Sequence, residues 1–406
     1  MNVLMLGWEL PPHNSGGLGV ACYQLCKALS QKGVGIEFVL PYTADFSKTE
    51  FMKIRAAHPQ GVTSILKSGI AYDSHKYIFE DGHEEWFSIF DQQSAYETSV
   101  GKIIPMLDFD IIHAHDWLTF RAGMRARDIS GKPLIVHVHS IEADRAGTPG
   151  GGNTLVREIE ATSFLMADRI IAVSQFTKEA IVREYDIPYD KIDVVYNSLD
   201  LDMVEAREKE TIHKYLSAMQ AQGYKVVVNI GRLTIQKGLT NLLHAARKVI
   251  EKSPKTLFLI VGSGEQYYEL VELAAELGIS KNIIFTGFLR GKNWRDSFAI
   301  GDLFIMPSTS EPFGLTPLEA AGYGTPSLIS RQSGVAEIFR NCLKVDCWDV
   351  DDMASQIISV VKNDALRDEL KINAYKEYEQ LSWHPAADKL LVWYKHHATQ
   401  LSEVSV

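Results

Sequence analysis

The chain has 406 residues, 46% hydrophobic and 23% charged, an ordinary globular balance, and because single cores rarely exceed about 250–300 residues two domains are expected. Its formal net charge of -10 disfavours nucleic acid and anionic membranes as partners, since both need a basic contact surface. Four cysteines without CxxC spacing point to a reducing compartment, and the start "MNVLMLGW" has neither the basic flank of a signal peptide nor the length of a membrane span, so a cytoplasmic location is expected.

Short apolar runs alternating with helical patterns predict α/β architecture with parallel sheets and crossover helices. In the first half the runs are "NVLML", "GIEFVLP", "DIIHAH", "PLIVHVH", "RIIAVS" and "IDVVYN". In the second they are "KVVVNIG", "TLFLIVG", "NIIFTGF", "DLFIMPS" and "PSLIS". Each half thus gains its own sheet, and each begins with a strand, a glycine-bearing loop and an amphipathic helix. Leu18, Cys22, Leu25, Cys26 and Leu29 share one face of the first such helix, which Gly33 ends; Leu239, Leu242, Leu243, Ala246, Val249 and Ile250 form the stripe of the second. Residues 45–100 break the pattern and are read as an irregular excursion of the first domain. The boundary is placed in the polar stretch "NSLDLDMVEAREKETIHKY", giving domains over 1–200 and 201–385. Open parallel sheets bind ligands at the carboxyl ends of their strands, so two facing domains with a cleft between them are expected.

In the first half, Gly16, Gly17 and Gly19 open the helix after the first strand, where missing side chains allow close approach of a phosphate or sugar. The order is not GxGxxG, no acid ends the next strand and no Walker lysine is present, which argues against a nicotinamide or P-loop enzyme. His113 and His115, then His137 and His139, end consecutive strands as i, i+2 pairs. A metal cluster is considered, but no Cys or Glu completes the set at close spacing, so satisfied buried histidines are the expectation. His139 is expected deepest in the cleft, with Glu142 nearby, and His115, Asp116 and Trp117 are expected to line the neighbouring wall on the acceptor side.

In the second half, "SEPFGLTPLE" carries Glu311 and Glu319 eight positions apart, directly after an apolar strand. Thr316, Pro317 and Glu319 read as N-cap, first helical position and capping-box acid. Glu311, before the helix, has no such duty. The helix start offers backbone N–H groups to an anion. Arg232 and Lys237 stand at the turn after "VVVNIG" on the same sheet edge, a fork and a point charge suited to a diphosphate. The carboxylate pairs Asp108/Asp110 and Asp200/Asp202 serve a divalent metal poorly, because the first precedes its strand; no metal or other cofactor is expected.

"GRLTIQKG" followed by "SEPFGLTPLEAAGYGTP" resembles the Arg-Lys pair and E-x7-E motif of glycosyltransferase family 4, retaining enzymes of the GT-B fold. "SGGLG" and "IIHAHDW" are similar to bacterial glycogen and starch synthases, and "EPFGLT" to sucrose-phosphate synthases. The resemblance implies two Rossmann-like domains and metal-independent transfer of a hexose, by this likeness glucosyl, from a nucleoside-diphosphate sugar to a hydroxyl acceptor such as a glycan. It assigns the diphosphate to Arg232 and Lys237, the sugar hydroxyls to Glu311, and the nucleotide ribose to Glu319. Backbone donors around sugar and phosphate fall to Phe313, Gly314, Leu315 and Thr316, the phosphate-facing loop to Gly16 and Gly17, and the histidine beside the reacting sugar to His139. It also implies that residues 386–406 form a helix crossing back to the first domain. Asn14 stands where starch synthases have a lysine, and Phe313 where they have Cys, so the resemblance does not by itself secure ADP-glucose as donor or a glucan, rather than another glycan, as acceptor. A nucleotide-sugar 2-epimerase and a non-catalytic nucleotide-sugar-binding protein share the same architecture and stand as alternatives.

Overall fold

The computed structural model describes residues 1–13, 16–66, 74–147, 149–200 and 211–404, with side chains up to residue 397. Asn14, Asp202 and most of the polar boundary stretch lie outside the described residues. The chain divides into two compact units, one of Met1–Glu142, Gly152–Ser198 and Trp383–Val406, the other of Ala143–Gly151 and Leu199–Ser382.

The first unit contains β1 (Asn2–Leu6), β2 (Gly35–Leu40), β3 (Lys53–Ala56), β4 (Val62–Leu66), β5 (His75–Phe79), β6 (Glu84–Phe87), β7 (Ile111–His115), β8 (Leu134–Val138), β9 (Arg169–Ala172) and β10 (Ile192–Val194). Seven of these form a sheet in the order β10-β9-β8-β7-β1-β2-β3, every printed pairing being parallel. β7 and β8 are buried throughout, which is why their sequences read as continuous runs rather than alternating ones. On one face, Ile111 and Ile135 join Cys22, Leu25 and Leu29 of helix Gly17–Gln31 and Trp383, Leu390 and Tyr394 of the terminal segment in a single core. Each of these large side chains, removed from water, stabilises the unit by about 1.5–3 kcal/mol.

Residues 45–100 are not irregular. They supply β3, which extends the main sheet, a separate antiparallel sheet of order β4-β5-β6, and the helix Ile89–Ile103. Ser88 and Asp91 form a reciprocal capping box that starts this helix. The strands escaped the sequence reading because β4 and β6 present mostly exposed residues and so lack an apolar rhythm.

The second unit contains β11 (Lys225–Ile230), β12 (Thr256–Val261), β13 (Ile283–Gly287), β14 (Leu303–Met306), β15 (Ser327–Ser330) and β16 (Leu343–Val345), in the order β13-β12-β11-β14-β15-β16 and again parallel. Leu239, Leu242, Leu243, Ala246 and Val249 of helix Leu239–Lys252 pack with Met353, Ile357 and Val360 of helix Val350–Lys362 over this sheet. Strand order reverses between β11 and β14 here, and between β1 and β7 in the first unit. The loops leaving such neighbouring strands diverge, which opens a crevice at the carboxyl edge of each sheet. No helix among the described residues is long and apolar enough to cross a membrane.

Candidate active site

In the second unit the chain leaves β11 and runs through a tight turn, Ile235–Lys237, into helix Leu239–Lys252. Gly238 joins them at φ +66°, and a Cβ there would lie 2.1 Å from the carbonyl oxygen of Pro307. Only glycine lets this turn lie against the loop after β14. Buried Gln236 ties the two together: its Nε2 donates to Ser310 O at 2.8 Å and its carbonyl accepts from Thr309 N at 2.9 Å. Lys237 Nζ thereby reaches Glu311 Oε2 at 2.6 Å, and Ser308 Oγ donates to the same oxygen at 3.0 Å. Glu311 is only 8% exposed, and its backbone is fixed by Gln332 O and Gly334 N. The structure thus pairs Lys237 with Glu311 and leaves Arg232 exposed.

Past Glu311 the chain turns through Gly314 at φ +93°, where a Cβ would come within 3.0 Å of Glu311 Cγ and of Met306. Phe313 is buried and its carbonyl accepts from Val335 N at 2.7 Å. Thr316 is not the helix cap. Leu315 takes that position in helical conformation, its carbonyl accepting from Leu318 N and Glu319 N, and no side chain caps the seven-residue helix Thr316–Gly322. Thr316 Oγ1 turns instead to Met306 Sδ at 3.8 Å. Glu319 is therefore released from a capping-box role; it is half-buried, and burial raises its carboxyl to about 8. Two neighbours were not singled out from sequence: Ser308, and Asp144, whose Oδ1 accepts from Ser310 Oγ at 2.6 Å. Ser308 lies inside the strand-to-acid run "IMPSTSE", a usable signal; Asp144 is distant in sequence and gave none.

In the first unit Gly16 is the N-cap of helix Gly17–Gln31 and no side chain caps it. The four histidines form one stacked array. His113 and His115 lie 4.5 Å apart between ring centroids, as do His137 and His139. His113 Nε2 meets His137 Nδ1 at 3.2 Å, His115 Nδ1 meets His139 Nε2 at 3.1 Å, and Tyr394 Oη meets His113 Nδ1 at 2.5 Å. Burial pushes His113 and His139 down to about 3 and holds His115 and His137 well below the usual histidine range, with the neighbouring imidazoles adding to the effect on all but His139. The rings are neutral. His115, Asp116 and Trp117, expected to line the neighbouring wall, are buried. Asp116 sits at φ 60° and its Oδ1 accepts from His139 N at 2.6 Å and Ser140 N at 3.3 Å, so it holds the backbone of His139. Asp110, one of the acids weighed for a metal, accepts from Asn2 N at the amino edge of the sheet, away from the strand ends that carry the site.

Two parallel α/β sheets with polar constellations at their carboxyl edges place the fold in the GT-B class of glycosyltransferases. The chain belongs to the group 1 and family 4 glycosyltransferases: Glycosyltransferase Family 4 matches residues 15–203 and Glycosyl transferases group 1 matches residues 217–377. An uncharacterized glycosyltransferase of Methanocaldococcus jannaschii is 28% identical over 97% of this chain and 98% of its own length. A D-inositol 3-phosphate glycosyltransferase of Rhodococcus erythropolis is 31% identical over 71% of this chain and 68% of its own. Among solved structures, Anabaena HepE in complex with UDP and glucose has a similar fold, with a TM-score of 0.72 at 18% identity over 98% of this chain and all of that one.

Proposed function

We propose that the protein is a retaining hexosyltransferase that moves a sugar, glucosyl in the first instance, from a nucleoside-diphosphate sugar to a hydroxyl acceptor. The observation that carries this reading is the Lys237–Glu311 pair at 2.6 Å on the carboxyl edge of the second sheet. A buried carboxylate beside a cation suits a donor that brings both hydroxyls and phosphates: Glu311 takes the hexose hydroxyls, while Lys237 and the exposed Arg232 take the diphosphate. Glu319 binds the ribose, and the backbone from Phe313 to Thr316 lies along the sugar-phosphate link. From the first unit, Gly16 and Gly17 approach the phosphates and His139 approaches the reacting sugar. His139 Nε2 shares a hydrogen bond with His115 Nδ1 at 3.1 Å, and the neutral ring serves as a hydrogen-bonding group beside the sugar, not as an acid.

In the reaction the acceptor oxygen forms a bond to the anomeric carbon as the bond to the diphosphate breaks on the same face, and the acceptor proton passes to the departing phosphate oxygen. Charge grows on that phosphate in the transition state, so cations that hold it tighter there lower the barrier, and no step asks for a metal. The names of similar proteins suggest the first substrates to try: UDP-glucose as donor and D-inositol 3-phosphate as acceptor.

Turnover of Lys237→Ala and Glu311→Gln tests the assignment; a loss of at least about tenfold in each is expected, and unimpaired transfer in both would remove it. A thermal-shift screen across UDP-, ADP- and GDP-sugars identifies the donor, because a ligand that binds only the native state raises the melting temperature with occupancy. Donor incubated alone should return no epimer.

A further inference from the structure

We infer that Asp144 is a positioning residue for the donor site: through Ser310 it fixes the loop that aims the Glu311 carboxylate, and so governs the affinity that the hexose adds to a bound nucleotide. The inference rests on the reading of Glu311 as the ligand of the hexose hydroxyls.

Ser308 to Glu311 follow β14 without regular structure, so their conformation depends on the contacts they make. The main chain is held from within the second sheet's own loops, by Gln236 at Thr309 and Ser310 and by Gln332 and Gly334 at Glu311. The Ser310 side chain turns elsewhere, and its Oγ donates to Asp144 Oδ1 at 2.6 Å. That length is in the range of about 2.5–2.7 Å typical of a hydroxyl bound to a carboxylate, a stronger bond than one between neutral groups. Asp144 is 4% exposed, so water competes little for the contact.

Asp144 stands on the short helix Glu142–Ala146, far in sequence from the loop it grips. The chain leaves the first unit after Glu142, packs with the second unit, and rejoins the first at Gly152. Glu142 Oε1 accepts from Asn153 N at 2.8 Å and closes the base of this excursion. Gly152, at φ +98°, admits the closure, since a Cβ there would lie 2.4 Å from Glu142 Cγ. Within the second unit Gly147 lies against the turn that carries Lys237, where a Cβ on it would meet Ile235 Cγ2 at 3.2 Å. The excursion therefore braces both supports of the Lys237–Glu311 pair, the turn at Ile235 and the loop at Ser310, which Gln236 joins to each other.

Without Asp144, the Ser310 hydroxyl loses its partner, and the residue directly before Glu311 is no longer fixed by its side chain. The hexose contact, made by Glu311, then suffers, while the diphosphate contact, made by Lys237 and Arg232, is kept. A residue that merely stabilised the fold would weaken both alike.

The test uses the full chain and calorimetric titration with UDP-, ADP- and GDP-glucose, each measured against its parent nucleoside diphosphate. The ratio of the two dissociation constants reports what the hexose contributes. Asp144→Ala should shift that ratio about tenfold against the sugar while the diphosphate alone binds within about twofold of its original affinity. Ser310→Ala should do the same, and the double variant should lose no more than either single one, because both remove one hydrogen bond. Asp144→Asn, which keeps an acceptor oxygen, should hold the ratio within about threefold. An unchanged ratio in Asp144→Ala, or an equal loss of affinity for both ligands, would overturn the inference. Glu311→Gln separates this outcome from the underlying reading. If it leaves the ratio intact, or if none of the three sugars binds the unmodified chain, the assignment of Glu311 itself fails; if it shifts the ratio and the Asp144 and Ser310 variants do not, only the positioning role fails. Should Asp144→Ala not fold, Ser310→Ala decides alone.

Discussion

Lys237 and Glu311 are 20% and 11% exposed at their side chains, so their attraction is poorly screened and each depends on the other. Removing the cation strands a buried carboxylate with only Ser308 as a donor, whereas removing the acid leaves an ammonium that can swing to water. Lys237→Ala should therefore destabilise the protein by up to about 3 kcal/mol in urea melts, and Glu311→Gln by less. Glu319 is a separate case. Its carboxyl lies near 8 in the folded chain against 4.5 for the unconstrained group. The folded state thus holds a proton that the unfolded state has released between those values, and stability falls as pH rises from about 4.5 to about 8, then levels off. Melting temperatures from pH 5 to 9 should show that decline, and Glu319→Gln, which mimics the protonated form, should flatten it. The sequence could suggest these residues because strand ends followed by charge are visible in one dimension. It could not reveal that Lys237 chooses Glu311 over open solvent, or that Leu315 displaces Thr316 as the helix cap, since both depend on the path of the loop through Gly314.

At the scale of elements, two glycines separate conformational strain from steric exclusion. Gly278 and Gly238 have nearly equal backbone angles, φ +71° and +66°, but a Cβ at Gly278 meets nothing within 4 Å while one at Gly238 meets Pro307 O at 2.1 Å. Gly278→Ala should cost about 1 kcal/mol, the expense of a left-handed residue alone. Gly238→Ala should cost more, and it should also weaken the thermal shift given by a nucleotide sugar, because the turn that delivers Lys237 must move. Equal losses in the two variants would show that the contact with Pro307 is relieved cheaply. The strands that build both sheets were legible because parallel strands covered on both faces concentrate Val, Ile and Leu. β4, β5 and β6 were not, since Trp86 at 63% exposure and Leu66 at 53% face outward and obscure the alternation that marks a strand.

Across the whole molecule, the terminal segment belongs to the first unit: Trp383, Ala387, Leu390 and Tyr394 are buried in the core built on β1 and β7, and Lys389 Nζ donates to Val194 O at 2.9 Å. Trp383→Ala should cost about 3–5 kcal/mol in chemical denaturation, a core-sized penalty for a residue remote in sequence from the strands it covers. An effect below about 1 kcal/mol would mean that the terminal segment merely lies on the unit. This placement also sets an order of events during synthesis. The middle of the chain, from Leu199 to Ser382, can close its own sheet as it leaves the ribosome, while the half made first waits, one flank of its core bare, until Trp383, Leu390 and Tyr394 emerge. Nascent chains halted before residue 383 should accordingly be cut by protease in the earliest-made half and resist in the later one.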